Sequence, residues 1–195
     1  MKKKERSVNI PTIEEVENEQ KRLRHRAVYQ RTLRGTIAVL LVVAAISVLV
    51  ATLWMPVLQI YGSSMSPTLE AGQIVVSVKT NQLKTGEVVA FWQGNKLLIK
   101  RVIAGPGQWV DIDMDGNVTV DGQTLDEPYL TEKVLGNCDI DLPHQVSEAH
   151  WFLMGDNRDT SVDSRSTAIG DISKDQIEGQ IIFRIWPLNK IGSIQ

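Results

Sequence analysis

Glu87-Val88-Val89-Ala90-Phe91-Trp92, followed across Gln93-Gly94-Asn95 by Lys96-Leu97-Leu98-Ile99-Lys100-Arg101-Val102-Ile103, is the stretch that decides the fold. Both runs are short and rich in β-branched and aromatic residues, which suit a pleated, packed surface better than a helix. Ile74-Val75-Val76-Ser77-Val78, Trp109 to Ile112, Asn117 to Val120 and Gln180 to Trp186 repeat the signature, punctuated by Gly, Asn and Asp. Asp115-Gly116 and Asp121-Gly122 are turn dipeptides, so residues 108–125 read as small hairpins. Asp126 to Ser147 is polar, is broken by Pro128, Gly136 and Pro143, and reads as a loop or flap. The expected fold is mainly β and antiparallel, with a hairpin and loop insertion over residues 108–147.

Upstream the pattern changes. Gly35 to Met55 is 21 residues without a charge, and an α-helix of that length covers roughly 31 Å, the thickness of a bilayer's hydrocarbon core. A cleaved signal peptide is the competing reading, but it needs an apolar run of about 7 to 15 residues near the N-terminus and a small-residue cleavage site. Here 34 residues precede the run and Leu53-Trp54-Met55-Pro56 follows it, which favours an uncleaved single-pass anchor. Thr12 and Glu15 have capping-box spacing, so a helix from about Ile13 is expected to feed the span.

Charge orients the anchor. Residues 1–34 hold ten Lys/Arg and five Glu, a net of +5, whereas the chain after Met55 holds eleven Lys/Arg and eighteen Asp/Glu, a net of −7. By the positive-inside rule the basic leader stays cytoplasmic. Lys2-Lys3-Lys4 suits contact with anionic lipid. The organisation is therefore a partly helical cytoplasmic leader (1–34), a transmembrane helix (35–55) and a β domain (56–195) on the extracytoplasmic side.

About 140 residues is an ordinary single-domain size with room for a real core. Cys138 is the lone cysteine, so no internal disulfide holds the outer domain. His25, His144 and His150 are scattered, with no metal-ligand spacing, and no metal or other cofactor is expected. Nothing resembles a nucleic-acid module.

Within the β domain two residues carry chemistry. Ser64, in Gly62-Ser63-Ser64-Met65-Ser66-Pro67-Thr68-Leu69, stands beside a proline turn, and Lys100 ends an apolar run. An unperturbed lysine, of pKa about 10.4, is free base only about 0.04% of the time at neutral pH. Lowering it to about 7 takes roughly 4 to 5 kcal/mol, which apolar burial supplies by penalising the ammonium. The pair suggests a serine hydrolase with an amine base. Taken singly, Lys100 also reads as a strand lysine facing solvent, and Ser64 as a turn or cap residue. A third segment, Gly155-Asp156-Asn157-Arg158-Asp159-Thr160-Ser161-Val162-Asp163-Ser164-Arg165-Ser166, is dense in donors, acceptors and charges of both signs. A triad through His144 or His150, a self-cleaving Ser/Lys repressor-type protease and a noncatalytic membrane-anchored scaffold are the rival readings.

These blocks together resemble the type I signal peptidases, Ser/Lys membrane proteases that remove signal peptides from exported proteins. The resemblance runs from about Gln59 to Gly192 and also takes in Gly72-Gln73-Ile74-Val75-Val76, Gly86-Glu87-Val88-Val89, Gly105-Pro106-Gly107 and Trp186-Pro187-Leu188. It implies that Ser64 is the nucleophile and Lys100 the general base. Ser161 would orient the lysine, and Asp163 and Arg165 would form a supporting ion pair, with Asp156, Arg158 and Arg101 contributing. One departure is Gly62, which stands where some members carry an oxyanion-hole serine. The Ser64 amide would be one donor there, with the Ser63 hydroxyl or a backbone amide near Gly62 as the second. The resemblance further implies an extended substrate with small residues first and third before the cut, the Ala-x-Ala pattern, in pockets walled by Ile60, Met65, Leu98 and Ile99. No cofactor is implied. The partners are the signal peptides of preproteins, the lipid bilayer and, by extension, the secretion translocon.

Overall fold

The computed structural model describes residues 12–80 and 82–194, so Lys2-Lys3-Lys4 lies outside the described residues. The chain divides into two compact units, with the division after residue 50. Helix α1 (Ile13–Trp54) is a continuous run of 42 residues. The capping box expected from sequence starts it: the Thr12 amide donates to Glu15 Oε2 at 2.9 Å, and the Glu15 amide to Thr12 Oγ1 at 3.4 Å. Within the apolar part, the hydroxyls of Thr36 and Ser47 donate to the carbonyls of Thr32 (3.0 Å) and Val43 (2.8 Å). Those bonds keep polar groups satisfied without a neighbour, as a span in hydrocarbon requires. An 18-residue stretch reaches a mean hydropathy of 2.2, so the helix is long and apolar enough to cross a membrane.

The second unit is β. Its strands are β1 (Val57–Gln59), β2 (Ile74–Val78), β3 (Val88–Gln93), β4 (Lys96–Ala104), β5 (Trp109–Ile112) and β6 (Val118–Val120). There follow β7 (Gln123–Thr124), β8 (His144–Gln145), β9 (His150–Met154), β10 (Ile172–Ser173), β11 (Ile177–Trp186) and β12 (Gly192–Ser193). Among the described residues the main sheet runs β1-β2-β11-β3-β4-β9-β10 with β12 on β11, the small one runs β7-β6-β5-β8, and every pairing is antiparallel.

Both faces of the main sheet are covered. Val88 and Ala90 pack with Val75, Ile181, Met65 and Leu69 on one side, while Val89 and Phe91 pack with Val102, Leu153 and Ile172 on the other. That is why β3 and β4 read as unbroken apolar runs rather than as alternation. The small sheet seats Val110, Ile112, Val118 and Val120 on Ile103, Phe152 and Met154. Its β6–β7 hairpin turns on Asp121 and Gly122, both at positive φ (51° and 77°), the mirror-type turn that this dipeptide favours.

The stretch from 126 to 147 is irregular as expected, but it is not a free flap. Glu127 is buried, β8 pairs with β5, and Gly116 admits the Val134 backbone so closely that a Cβ there would lie 2.4 Å from Val134 N.

Candidate active site

Ser64 follows β1 in a tightly bonded turn. Ile60 and Gly72–Gln73 exchange backbone bonds of 2.8 and 2.9 Å, Ser66 N–H donates to Ser63 O (3.0 Å) and Leu69 N–H to Met65 O (2.8 Å). Met65 and Leu69 are sunk in the core, which leaves Ser64 half-buried between them and exposed Ser63. The Ser64 carbonyl accepts from the Asn157 amide at 3.0 Å, while its own N–H has no acceptor among the described residues. That free amide is available to an incoming oxyanion. Gly62, at φ +82°, has no heavy atom within 4 Å of where a Cβ would stand.

Lys100 lies in the middle of β4, opposite Val89 of β3, and its neighbour Arg101 pairs with Met154 of β9. It is 3% exposed. Burial drives its pKa down from 10.5 to about 8; Asp163 and Asp156 pull it partway back, and Arg165 depresses it further. Among the described residues no salt bridge reaches the ammonium, since the nearby carboxylates are committed to arginines.

Those arginines form three buried pairs. Arg101 meets Asp156 through Nε (2.9 Å) and Nη2 (2.7 Å), donates to Gly86 O (2.6 Å) and lies 3.8 Å from the Tyr129 ring centroid. Arg165 meets Asp163 through Nε and Nη2, both at 2.9 Å, and donates to Leu135 O at 2.5 Å. Arg158 pairs with Glu127 and donates to Gly155 O at 3.1 Å. Burial alone would raise the Asp163 carboxyl, but Arg165, the Gly155 amide and the Ser161 hydroxyl outweigh it and hold its pKa below the usual range. Bidentate, fully bonded pairs of this kind are costly to break, because removing one partner strands a buried charge.

The Ser64 turn and the 155–166 block meet at Gly155. A Cβ added there would stand 2.2 Å from Ser161 Oγ and 2.5 Å from the Ser64 carbonyl oxygen. Among the described residues, Ser161 Oγ is the one buried side-chain nitrogen or oxygen without a well-formed hydrogen bond. It stands beside Asp163 and has bonding capacity to spare. Gly155→Ala is therefore expected to push the Ser64 and Ser161 segments apart and to lower cleavage at least about 100-fold, since displacements near 1 Å cost that much in catalysis. A cleavage assay alongside a thermal melt measures it.

Ile60, Met65, Leu98 and Ile99 line one recess of 80 Å³ together with Gly62, Ser64 and Leu97. The structure thus brings the four candidate wall residues to Ser64. Ser63 is exposed and makes no side-chain bond among the described residues. Trp186-Pro187-Leu188 closes β11, with Trp186 opposite Ile74 of β2, and none of the three lines the recess. His144 is engaged by Asp171 at 2.9 Å and His150 by the Glu148 carbonyl at 2.7 Å, and neither joins the Ser64 contacts. Glu127, Tyr129 and Asn157 were not singled out from sequence. The first two are isolated polar residues in an irregular segment, and Asn157 acts through its backbone, so their residue types give no signal.

Comparison with known proteins places the chain in a family. Residues 33–186 match the family model described as signal peptidase, peptidase S26. Signal peptidase IB of Staphylococcus aureus (strain COL) is 37% identical over 151 residues, covering 67% of this chain and 78% of the relative. Signal peptidase I of Bacillus licheniformis is 32% identical over 170 residues, covering 79% and 88%. A crystal structure of a signal peptidase I from Enterococcus faecalis V583 superposes with a TM-score of 0.42 at 24% identity, over 51% of this chain and 97% of that one. With the family model spanning most of its length, the chain belongs to the signal peptidase family, peptidase S26.

Proposed function

We propose that this chain is a membrane-anchored endopeptidase that cuts signal peptides from exported preproteins after Ala-x-Ala-like sites, with Ser64 as nucleophile and Lys100 as general base. Family membership carries the serine-peptidase activity on signal peptides. The dyad rests chiefly on one observation: Lys100 is a buried amine with a pKa pushed down to about 8, in a cluster that also fixes the Ser64 backbone.

Ser64 Oγ attacks the scissile carbonyl carbon as Lys100 Nζ takes its proton. The oxyanion develops against the Ser64 N–H and a second donor near Gly62 or Ser63. Lys100 then hands the proton to the leaving amine, and the C–N bond breaks to leave an ester on Ser64. Water attacks that ester with Lys100 again as base. The signal peptide leaves as a carboxylate, and Ser64 recovers its proton. Ser161 Oγ, buried beside Asp163 with an unused bond, is the group that would fix the lysine amine.

The recess is small and walled by apolar side chains beside Ser64, which supports the small-residue preference. The basic leader and the length of α1 support the single-span topology with the β unit outside. In the test, the purified full chain in detergent or vesicles is given a preprotein with Ala at the last position before the cut. One cleavage at that bond is expected by mass spectrometry, and Ala→Phe at that position is expected to cost at least about 100-fold in kcat/KM, since a ring there must displace the apolar walls. Equal cleavage of the Phe substrate would reject this recess as the specificity pocket.

A further inference from the structure

A second, larger recess opens on the turn that follows Ser64. It encloses 230 Å³, and Ser66, Pro67, Glu132, Asn157 and Asp159 are among its lining residues. We propose that it receives the first residues after the cut, and that Glu132 and Asp159 make it select a positively charged side chain there. This deepens the peptidase reading given above and rests on it.

The position of the recess makes it a subsite. Ser64 itself lines the apolar recess, whereas Ser66 and Pro67, two and three residues further on, line this one. Asn157, which also lines it, is the residue whose amide holds the Ser64 carbonyl at 3.0 Å. Both recesses are thus built on the Gly62–Pro67 turn that carries the serine. A substrate whose acyl side fills the first continues past Ser64, and the recess built on the residues that follow the serine is the subsite offered to its amine side.

The walls are held rigidly. Thr131, Glu132 and Val134 belong to the irregular segment that is tied down on both sides, by the buried Glu127–Arg158 pair and by the 2.5 Å bond from Arg165 to the Leu135 carbonyl. The recess is therefore part of the same framework that fixes Gly155 and Asp163.

Charge decides what it takes. Asp156 and Arg158 also line it, but each is buried and paired, with Arg101 and Glu127 respectively. Glu132 and Asp159 are exposed, and neither carboxylate has a hydrogen bond or ion pair among the described residues. Lys133, beside Glu132, reaches instead toward Asn117 Oδ1 at 3.5 Å. Two uncompensated carboxylates face the cavity, so it attracts a lysine or arginine side chain and repels an acidic one.

The test uses preprotein substrates identical up to the cut, with Lys, Gln or Glu at the first or second position after it. The wild-type chain is expected to cleave the Lys form about three- to tenfold faster in kcat/KM than the Glu form at one of these positions, mainly through KM and less so in high salt. In Glu132→Gln/Asp159→Gln the ratio is expected to fall to about one, and in Glu132→Lys/Asp159→Lys to invert. Cleavage of the Gln substrate is the reference in each variant, so that the Lys-to-Glu ratio reads charge selection apart from any general change in rate. A wild-type ratio of one at both positions, or a preference that survives the double substitution, overturns the charge-selective subsite while leaving the peptidase reading intact. Failure to cleave even the Gln substrate would instead bring down the peptidase reading and the subsite together.

Discussion

Replacing Ser64 by alanine is expected to lower preprotein cleavage at least about 10⁴-fold and to leave the fold in place. The magnitude follows from the chemistry: without Oγ there is no ester, and removing a nucleophile from a concerted site typically costs on the order of 10⁶ in kcat. What survives is the rate due to binding and oxyanion stabilisation alone. The structural effect is small because the contacts that fix Ser64 are made by its backbone. Its carbonyl accepts from Asn157 whatever the side chain, and its buried neighbours Met65 and Leu69 are untouched. Stability should change by less than about 1 kcal/mol, as for a half-buried hydroxyl without a bonded partner. Initial rates on a preprotein and a thermal melt of the same sample separate the two effects. His150→Ala serves as control and should cleave normally, because that ring contacts the Glu148 carbonyl and not the site. Residual cleavage above about 1% in Ser64→Ala would mean that another group attacks.

What the sequence discloses and what it hides follow from how each feature is encoded. β3 and β4 are legible because burial on both faces demands apolar residues at nearly every position, and the Asp121-Gly122 turn because few dipeptides tolerate two positive φ values. Helix α1 announces itself by length, hydropathy and the Thr12–Glu15 box. Short strands such as β1, β10 and β12, of two or three residues, hold too few side chains to show a period. β11 begins at Ile177 rather than Gln180 because a register shift beside Gly179 lets the chain continue pairing through residues that do not alternate. The site divides in the same way. Ser64, Lys100 and the 155–166 block stand in dense local patterns; the block meets the Ser64 backbone at Gly155 and surrounds Lys100 with the charges of Asp163, Arg165 and Asp156. The Glu127–Arg158 pair spans 31 residues and leaves no mark on either segment's composition. Only tertiary contact shows that the irregular segment braces the catalytic block.

Lys100→Met is expected to abolish cleavage and yet make the protein more stable at neutral pH. An amine lowered from 10.5 to about 8 by burial is charged at pH 7 in a place that disfavours charge, and the difference amounts to about 3 kcal/mol against folding. The sign is fixed by linkage. Between pH 8 and 10.5 the unfolded chain holds the proton and the folded chain has lost it, so the stability of the wild type rises with pH across that window and is at its lowest below it. Methionine is unbranched and one atom shorter, fills most of the same space and carries no charge, so it removes the penalty but also the attraction to Asp163 and Asp156. The net gain should be about 1 to 3 kcal/mol at pH 7, shrinking toward zero above pH 10, and denaturant unfolding at several pH values measures it. The same proton governs the rate. With a pKa of about 8, roughly a tenth of the lysine is free base at pH 7, against about 0.04% for an unperturbed one, so wild-type kcat/KM should climb tenfold per pH unit below 7 and level off above 9. A profile that is flat from pH 6 to 9 would mean that Lys100 is not the base. A Met variant less stable than wild type at pH 7 would mean that the buried charge is held by interactions stronger than its desolvation. If both expectations hold, the fold sacrifices stability at Lys100 to keep a reactive amine, and the burial that destabilises the domain is what makes the lysine a base.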